Sequence, residues 1–212
     1  MTKRSVIIAG ATGLVGREIL AQLLADDTVG EVQCLGRRAP AIAHPKMKVH
    51  VVDFTKLPGL AQANEVYLAL GTTIKVAGSQ AAFRAVDHDA NLAVAKAALA
   101  AGAKKAGLVS AMGADARSKV FYSRVKGELE EALKQLPFDG LTIARPSLLV
   151  GDRESLGQPD RPGEKIGFAI GRALGFLIPA NYKPVEAKAV AQALLANVPQ
   201  AAGCKVLLSG SM

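Results

Sequence analysis

VIIAGATGLVGREILAQLL, residues 6–24, lies near the start of a 212-residue chain and decides how the rest is read. Its apolar beginning, SVIIAG (5–10), has the continuous pattern of a strand covered on both faces. GREILAQLLAD (16–26) has the pattern of a helix, with Ile19, Leu20, Leu23 and Leu24 at helical spacing. Between them stands a GxxGxxG turn made by Gly10, Gly13 and Gly16. A glycine pattern alone is weak, but a strand entering it and a helix leaving it supply the context of a dinucleotide-binding turn. Gly10 permits the sharp exit from the strand, Gly13 lets a pyrophosphate approach the backbone, and Gly16 lets the helix pack closely on the sheet. The expected phosphate cradle is Gly10, Ala11, Thr12, Gly13, Leu14, Val15 and Gly16, with free N–H groups at the helix start aimed at the anion. A glycine turn with a purely structural purpose is the alternative.

Further along, the same alternation repeats. EVQCLGR (31–37), MKVHVVDF (47–54), EVYLALG (65–71), KAGLVSA (105–111), LTIARPSLLVG (141–151) and CKVLLSG (204–210) read as strands. Residues 79–101, 118–136 and 185–197 read as helices. Strands alternating with helices imply parallel pairing through crossovers. The expected fold class is therefore α/β, a doubly wound parallel sheet of about seven strands with helices on both faces. A chain of 212 residues suits one domain, 1–212, and can bury roughly 70% of its unfolded surface. GDRESLGQPDRPGEK (151–165) breaks the rhythm as a long polar loop, and IGFAIGRALGFLIP (166–179) follows with Arg172 as its one charge. Together they suggest a small C-terminal substrate or lid region at about 151–185. A dimer face and an interfacial helix on a membrane are the rival readings of the apolar segment.

Composition narrows the classes. Half the residues are hydrophobic and Trp is absent, so the core is expected from Ala, Val, Leu and Ile. The two cysteines, Cys34 and Cys204, lack metal or CxxC spacing and read as two free thiols in a reducing cytoplasm, with one disulfide as the alternative. No apolar run approaches the ~20 residues that cross a bilayer. No signal peptide is visible, and the expectation is a cytoplasmic protein without a transmembrane segment. The net charge of +8 is spread along the chain without interleaved aromatics, which suits a small polyphosphate ligand better than nucleic acid.

The residue ending the second strand discriminates between nicotinamide cofactors. An acidic side chain there binds a ribose 2′-hydroxyl, and this chain instead has Arg37 and Arg38. Two arginines suit a 2′-phosphate, so NADP(H) is expected over NAD(H), unless these are simply solvated charges. Asp53 and Phe54 end the third strand, where Asp53 is placed either to contact an adenine amino group or to make a turn. Leu70, Gly71 and Thr72 end the fourth strand, and small residues there let the cofactor lie close to the backbone.

YSRVK places Tyr122 and Lys126 four apart on a predicted helix, hence on one face. A tyrosine of pKa about 10 is a poor acid near neutrality. An adjacent ammonium favours its phenolate, and Lys126 is also placed to bond a nicotinamide ribose. Ser110, at the end of the fifth strand, is positioned to hold a substrate carbonyl or hydroxyl. Pro146 and Leu148, past the sixth strand, are expected beside the nicotinamide. DHD (87–89) does not converge on one metal ion from consecutive helix positions and reads as a solvated helix face. No metal site is expected.

The stretches GATGLVGREIL, LGRR, VVDF, LGTT, AFRAVDHD, SAMGAD, YSRVKGELE and RPSLLVGDR span residues 6–153. Through them the chain resembles an atypical short-chain dehydrogenase/reductase, and it is similar to the group that includes the Tat-interacting protein family of oxidoreductases. Weaker likeness continues through RPGE and KPVEAKAVAQALL. The resemblance implies a Rossmann-type NADP(H) domain with Ser110, Tyr122 and Lys126 as the Ser-Tyr-Lys set. Short-chain enzymes often add a catalytic Asn; the one candidate here, Asn91, reads better as a helix residue bonding a neighbouring strand. The expected activity is hydride transfer between nicotinamide and a small-molecule carbonyl or alcohol. The alternative is a non-catalytic module in which NADP(H) occupancy controls binding of a protein partner; a homodimer is compatible with either.

Overall fold

The computed structural model describes residues 3–150 and 179–212. Seven parallel strands form its main sheet: β1 Arg4–Ala9, β2 Val29–Gly36, β3 Met47–Val51, β4 Glu65–Leu68, β5 Lys105–Val109, β6 Gly140–Arg145 and β9 Gly203–Leu208. Their spatial order is β3-β2-β1-β4-β5-β6-β9. The chain builds outward on one side of β1, then crosses to the other side at β4. The expected doubly wound sheet is what forms.

Alternation along β1 explains the layers. Val6 and Ile8 face one core; Ile7 and Ala9 face the other. Helix α1, Leu14–Ala25, covers the first core with Ile19, Leu20, Leu23 and Leu24. The helix Ala187–Asn197, α6 here, joins it through Val190, Ala191 and Leu194. Helix α4, Asn91–Ala100, covers the second core with Val94, Ala95 and Ala98. Helix α5, Phe121–Lys134, adds Leu129 and Leu133 there. Each fully buried Leu or Ile contributes roughly 1.5–3 kcal/mol.

Three expectations shift. The strand expected over 141–151 ends at Arg145, because Pro146 has no N–H to extend the ladder. Leu149–Val150 instead becomes β7, pairing with β8, Val185–Glu186, in a separate parallel sheet. The helix expected over 79–101 is three pieces: α3 Gln80–Arg84, a π-helical turn Ala85–Ala90, and α4. A short helix α2, Ile74–Ala77, precedes them, capped by the Thr73 hydroxyl accepting the Val76 N–H at 3.1 Å. The helix expected from 118 begins at Phe121, because the Ser118 hydroxyl accepts the Val120 N–H at 3.1 Å and holds a turn there.

Both cysteines are free thiols, and β2 and β9, which carry them, lie far apart in the sheet. Burial pushes the Cys34 thiol up to about 11. No helix among the described residues is long and apolar enough to cross a membrane. The lid region expected at about 151–185 lies mostly, over 151–178, outside the described residues, as does nearly all of the 166–179 apolar segment.

Candidate cofactor cleft

The glycine turn sits where the sheet order reverses, between the carboxyl ends of β1 and β4. Open α/β sheets bind ligands in this crevice. Gly10 has φ +90°, and a Cβ there would lie 2.4 Å from the Ala69 carbonyl oxygen. A Cβ on Gly16 would lie 2.0 Å from the Gly10 carbonyl oxygen. Only glycine lets α1 start this close to the strand it follows. The Gly13 N–H donates to the Gly10 carbonyl at 2.9 Å and closes the turn.

Gly13 is the N-cap of α1; no side chain caps that end, and no acidic residue stands in the first turn. The first-turn N–H groups and the positive end of the helix dipole are therefore left for an external anion. The residues fit a pyrophosphate. Leu14 and Val15 bury their side chains in the core, so they offer the ligand only their backbone.

Arg37 and Arg38 are exposed just past β2, and among the described residues neither is in an ion pair. Asp53 is exposed, and its Oδ1 accepts the Thr55 N–H at 2.9 Å. That bond makes the expected turn and holds the carboxyl below its ordinary value. Phe54 and Leu70 pack half-buried against the second core, so their side chains serve packing.

On the other wall, Tyr122 is 36% exposed, with its ring 5.5 Å from that of Phe83. One turn later Lys126 is buried, its Nζ 2.8 Å from Asp87 Oδ1. Burial is the largest influence and opposes the Lys126 charge, but Asp87, Tyr122 and Glu130 together outweigh it and hold the ammonium above the ordinary lysine value. Asp87 Oδ2 accepts the Thr72 N–H at 2.8 Å. The structure thus brings together Gly71, Thr72 and Lys126, through a residue that sequence reading placed on a solvated face.

Asp87 and His88 are in fact buried, and only Asp89 of DHD is exposed. The signal was available: Asp87 lies four residues after buried Phe83 and four before buried Asn91, on the inward stripe. Asn91 behaves as expected of a strand-bonding residue, with Nδ2 donating to the Leu70 carbonyl at 3.1 Å.

Ser110 is buried, and its hydroxyl donates to Glu130 Oε1. Glu130 is fully buried and also accepts from Arg145 Nε at 3.0 Å. The hydrogen bond to Glu130 raises the Arg145 guanidinium above its ordinary value. Among the described residues Ser110 makes no hydrogen bond to Tyr122 or Lys126; its hydroxyl is spent on Glu130. Glu130 was missed in the sequence, although a Glu four residues after Lys126 and flanked by Leu129 and Leu133 stands on the buried face of α5. Pro146 is buried, with its carbonyl accepting the Met112 N–H at 2.8 Å, and Leu148 is half-buried. Among the described residues no cluster of His, Cys, Asp and Glu stands where it would hold a metal ion.

A family model described as NAD(P)H-binding matches residues 10–173. The chain belongs to this NAD(P)H-binding family. It is 38% identical over 181 residues to the protein fmp52, mitochondrial, of Emericella nidulans, covering 81% of this chain and 76% of that one. It is 39% identical over 171 residues to the protein HTATIP2 of Rattus norvegicus, covering 77% of this chain and 69% of that one. Among solved structures, the Bordetella bronchiseptica enzyme WbmH in complex with NAD+ superimposes with a TM-score of 0.73 at 16% identity, over 99% of this chain and 77% of that one. MoeE5 in complex with UDP-glucose and NAD does so at 0.71 and 15% identity, over 96% of this chain and 75% of that one. These likenesses show a Rossmann-type fold and the resemblance to the Tat-interacting group.

One expectation is corrected here. Relatives from several fungi, including Emericella nidulans and Candida albicans, bear the designation mitochondrial, which overturns the cytoplasmic placement. Two thiols on strands far apart in the sheet stay free in any compartment, so they do not report one.

Proposed function

We propose that the protein is an NADP(H)-dependent reductase or dehydrogenase acting on a small carbonyl or alcohol substrate. The observation that carries this is the buried Lys126 ammonium at the end of β4, with Tyr122 one turn earlier on the same helix. NADP(H), when bound, supplies or accepts the hydride. The glycine turn binds the pyrophosphate through its N–H groups. Arg37 and Arg38 bind the 2′-phosphate, favouring NADP(H) over NAD(H), and Asp53 lies beside the adenine. Tyr122 gives its phenolic proton to the substrate oxygen, and Lys126 stabilises the phenolate left behind. Pro146 and Leu148 border the nicotinamide.

Ser110 orients the substrate oxygen only by turning its hydroxyl away from Glu130. That bond also favours a second reading, a nucleotide-bound module that regulates a protein partner without turnover. Tyr122→Phe separates the two. Once an aldehyde or ketone substrate is found by screening, the variant is expected to keep its NADPH affinity and lose about 10²-fold or more in kcat. Unchanged kcat removes Tyr122 as the acid. No turnover by the wild type on any carbonyl tested, with NADPH still bound, selects the regulatory reading.

A further inference from the structure

Asp87 is an acidic residue in the middle of a helical segment, and little of it reaches solvent: it is 1% exposed, and Lys126 beside it is 5% exposed. Both ends of its carboxylate are engaged. Oδ1 lies 2.8 Å from Lys126 Nζ, and Oδ2 accepts the Thr72 N–H at 2.8 Å. Its backbone is anchored too, since Asn91 Nδ2 donates to the Asp87 carbonyl at 3.1 Å and, at the same distance, to that of Leu70. The π-helical turn Ala85–Ala90 carries it, a geometry that recurs at functional sites.

Gly71 shows how close the loop after β4 comes. A Cβ there would be 3.5 Å from Asp87 Oδ1 and 3.9 Å from Lys126 Nζ. The charged groups acting on Lys126 come from two elements: Asp87 from the π turn, and Tyr122 and Glu130 from α5 itself. Glu130 is already bound by Arg145 and Ser110, and the His88 ring is taken by Asp89. Gly71 and Thr72 bring no charge. Asp87 is thus the carboxylate in contact with the ammonium, and an ammonium buried without such a partner sheds its proton.

We propose that Asp87 is a positioning residue: it seats Lys126 as an ammonium beneath the Gly71–Thr72 loop and ties that loop and the lysine to one carboxylate. The consequence for binding rests on reading this cleft as the NADP(H) site; the effect on Lys126 does not. A raised lysine value contributes stability that is fully present below the unfolded value and lost as pH rises through the folded one. In the wild type that loss lies above the ordinary lysine range; a variant whose folded value drops below the unfolded one reverses the sign, so the buried lysine then destabilises the fold at lower pH.

The test is an NMR pH titration of the ligand-free full chain carrying 13C-labelled lysine, with Lys126→Met assigning the resonance. The wild-type Lys126 signal is expected to stay in the ammonium form past the point where surface lysines titrate. In Asp87→Asn its midpoint is expected to fall by more than one pH unit, and Asp87→Glu to restore much of the difference. An unchanged midpoint in Asp87→Asn overturns the proposal. If Asp87→Asn does not fold, Asp87→Asn combined with Lys126→Met decides. Recovery of folding supports an orphaned ammonium as the defect; failure of both means that Asp87 acts only in building the turn. NADPH titration of the folded variants reads the loop. A tenfold or greater loss of affinity in Asp87→Asn is expected, and unchanged affinity overturns the tie to the loop. If the wild type binds no NADPH while the Lys126 shift persists, the cofactor reading falls and the role of Asp87 towards Lys126 stands.

Discussion

Glu130 carries more of the site's order than any residue picked from the sequence. Its carboxylate is fully buried, and it collects Ser110, just past β5, and Arg145 from β6 onto α5. Removing one partner of such a set strands the other, which costs about 3–5 kcal/mol. Glu131, the next residue, pairs with Lys134 at 2.7 Å on the exposed side of the helix. Surface pairs of that kind contribute about 0–1 kcal/mol. Glu130→Ala is therefore expected to lower unfolding stability by about 3 kcal/mol or more, and Glu131→Ala by under about 1, in urea denaturation near neutral pH. Similar small losses in both would mean that the buried set is not a brace. The residue-scale reading placed Tyr122 and Lys126 one turn apart on one helix and the glycines in the turn after β1, and the structure has them there. It stopped short of Asp87 and Glu130, because charges on a helix are ordinarily assigned to the solvent face, and here they balance Lys126 and Arg145 inside.

Elements were legible wherever hydrophobic period and punctuation agreed. Helix α1 was clear from four apolar residues on one stripe and glycines at its start. Interruptions were less visible. Pro146 splits what looked like one strand because its effect depends on a neighbouring strand waiting for an N–H. The π turn at Ala85–Ala90 leaves no mark in a segment that is helical on either side. Helix α1 starts close against the turn that leaves β1, and this yields a prediction. Alanine ordinarily improves a helix interior over glycine by about 1 kcal/mol. At Gly16 the added Cβ would meet the Gly10 carbonyl at 2.0 Å. Gly16→Ala is thus expected to lower the melting temperature and to weaken NADPH binding together. A rise in melting temperature with binding intact would show that the turn has room to relax.

Across the whole molecule, alternation of strands and helices was enough to give a parallel sheet, and the glycine turn enough to place its ligand edge. The switch point between β1 and β4, the two covered faces and the family membership agree with that. Less legible was what depends on distant pairing: β9 at the sheet edge and the small β7-β8 sheet. The compartment was beyond composition altogether. The net charge of +8 is consistent with a polyphosphate ligand; Arg37 and Arg38 are exposed just past β2, in no ion pair among the described residues, and the start of α1 has no side-chain cap. The measurement that bears most directly on the account is a calorimetric titration of nucleotide-stripped protein with NADPH and, separately, NADH, repeated on Arg37→Ala. The account predicts NADPH binding at least about tenfold tighter than NADH, a difference of about 1.4 kcal/mol, and a larger loss for NADPH than for NADH in the variant. Equal loss for both cofactors would remove Arg37 as the reader of the 2′-phosphate, and no binding of either cofactor would contradict the account at its centre.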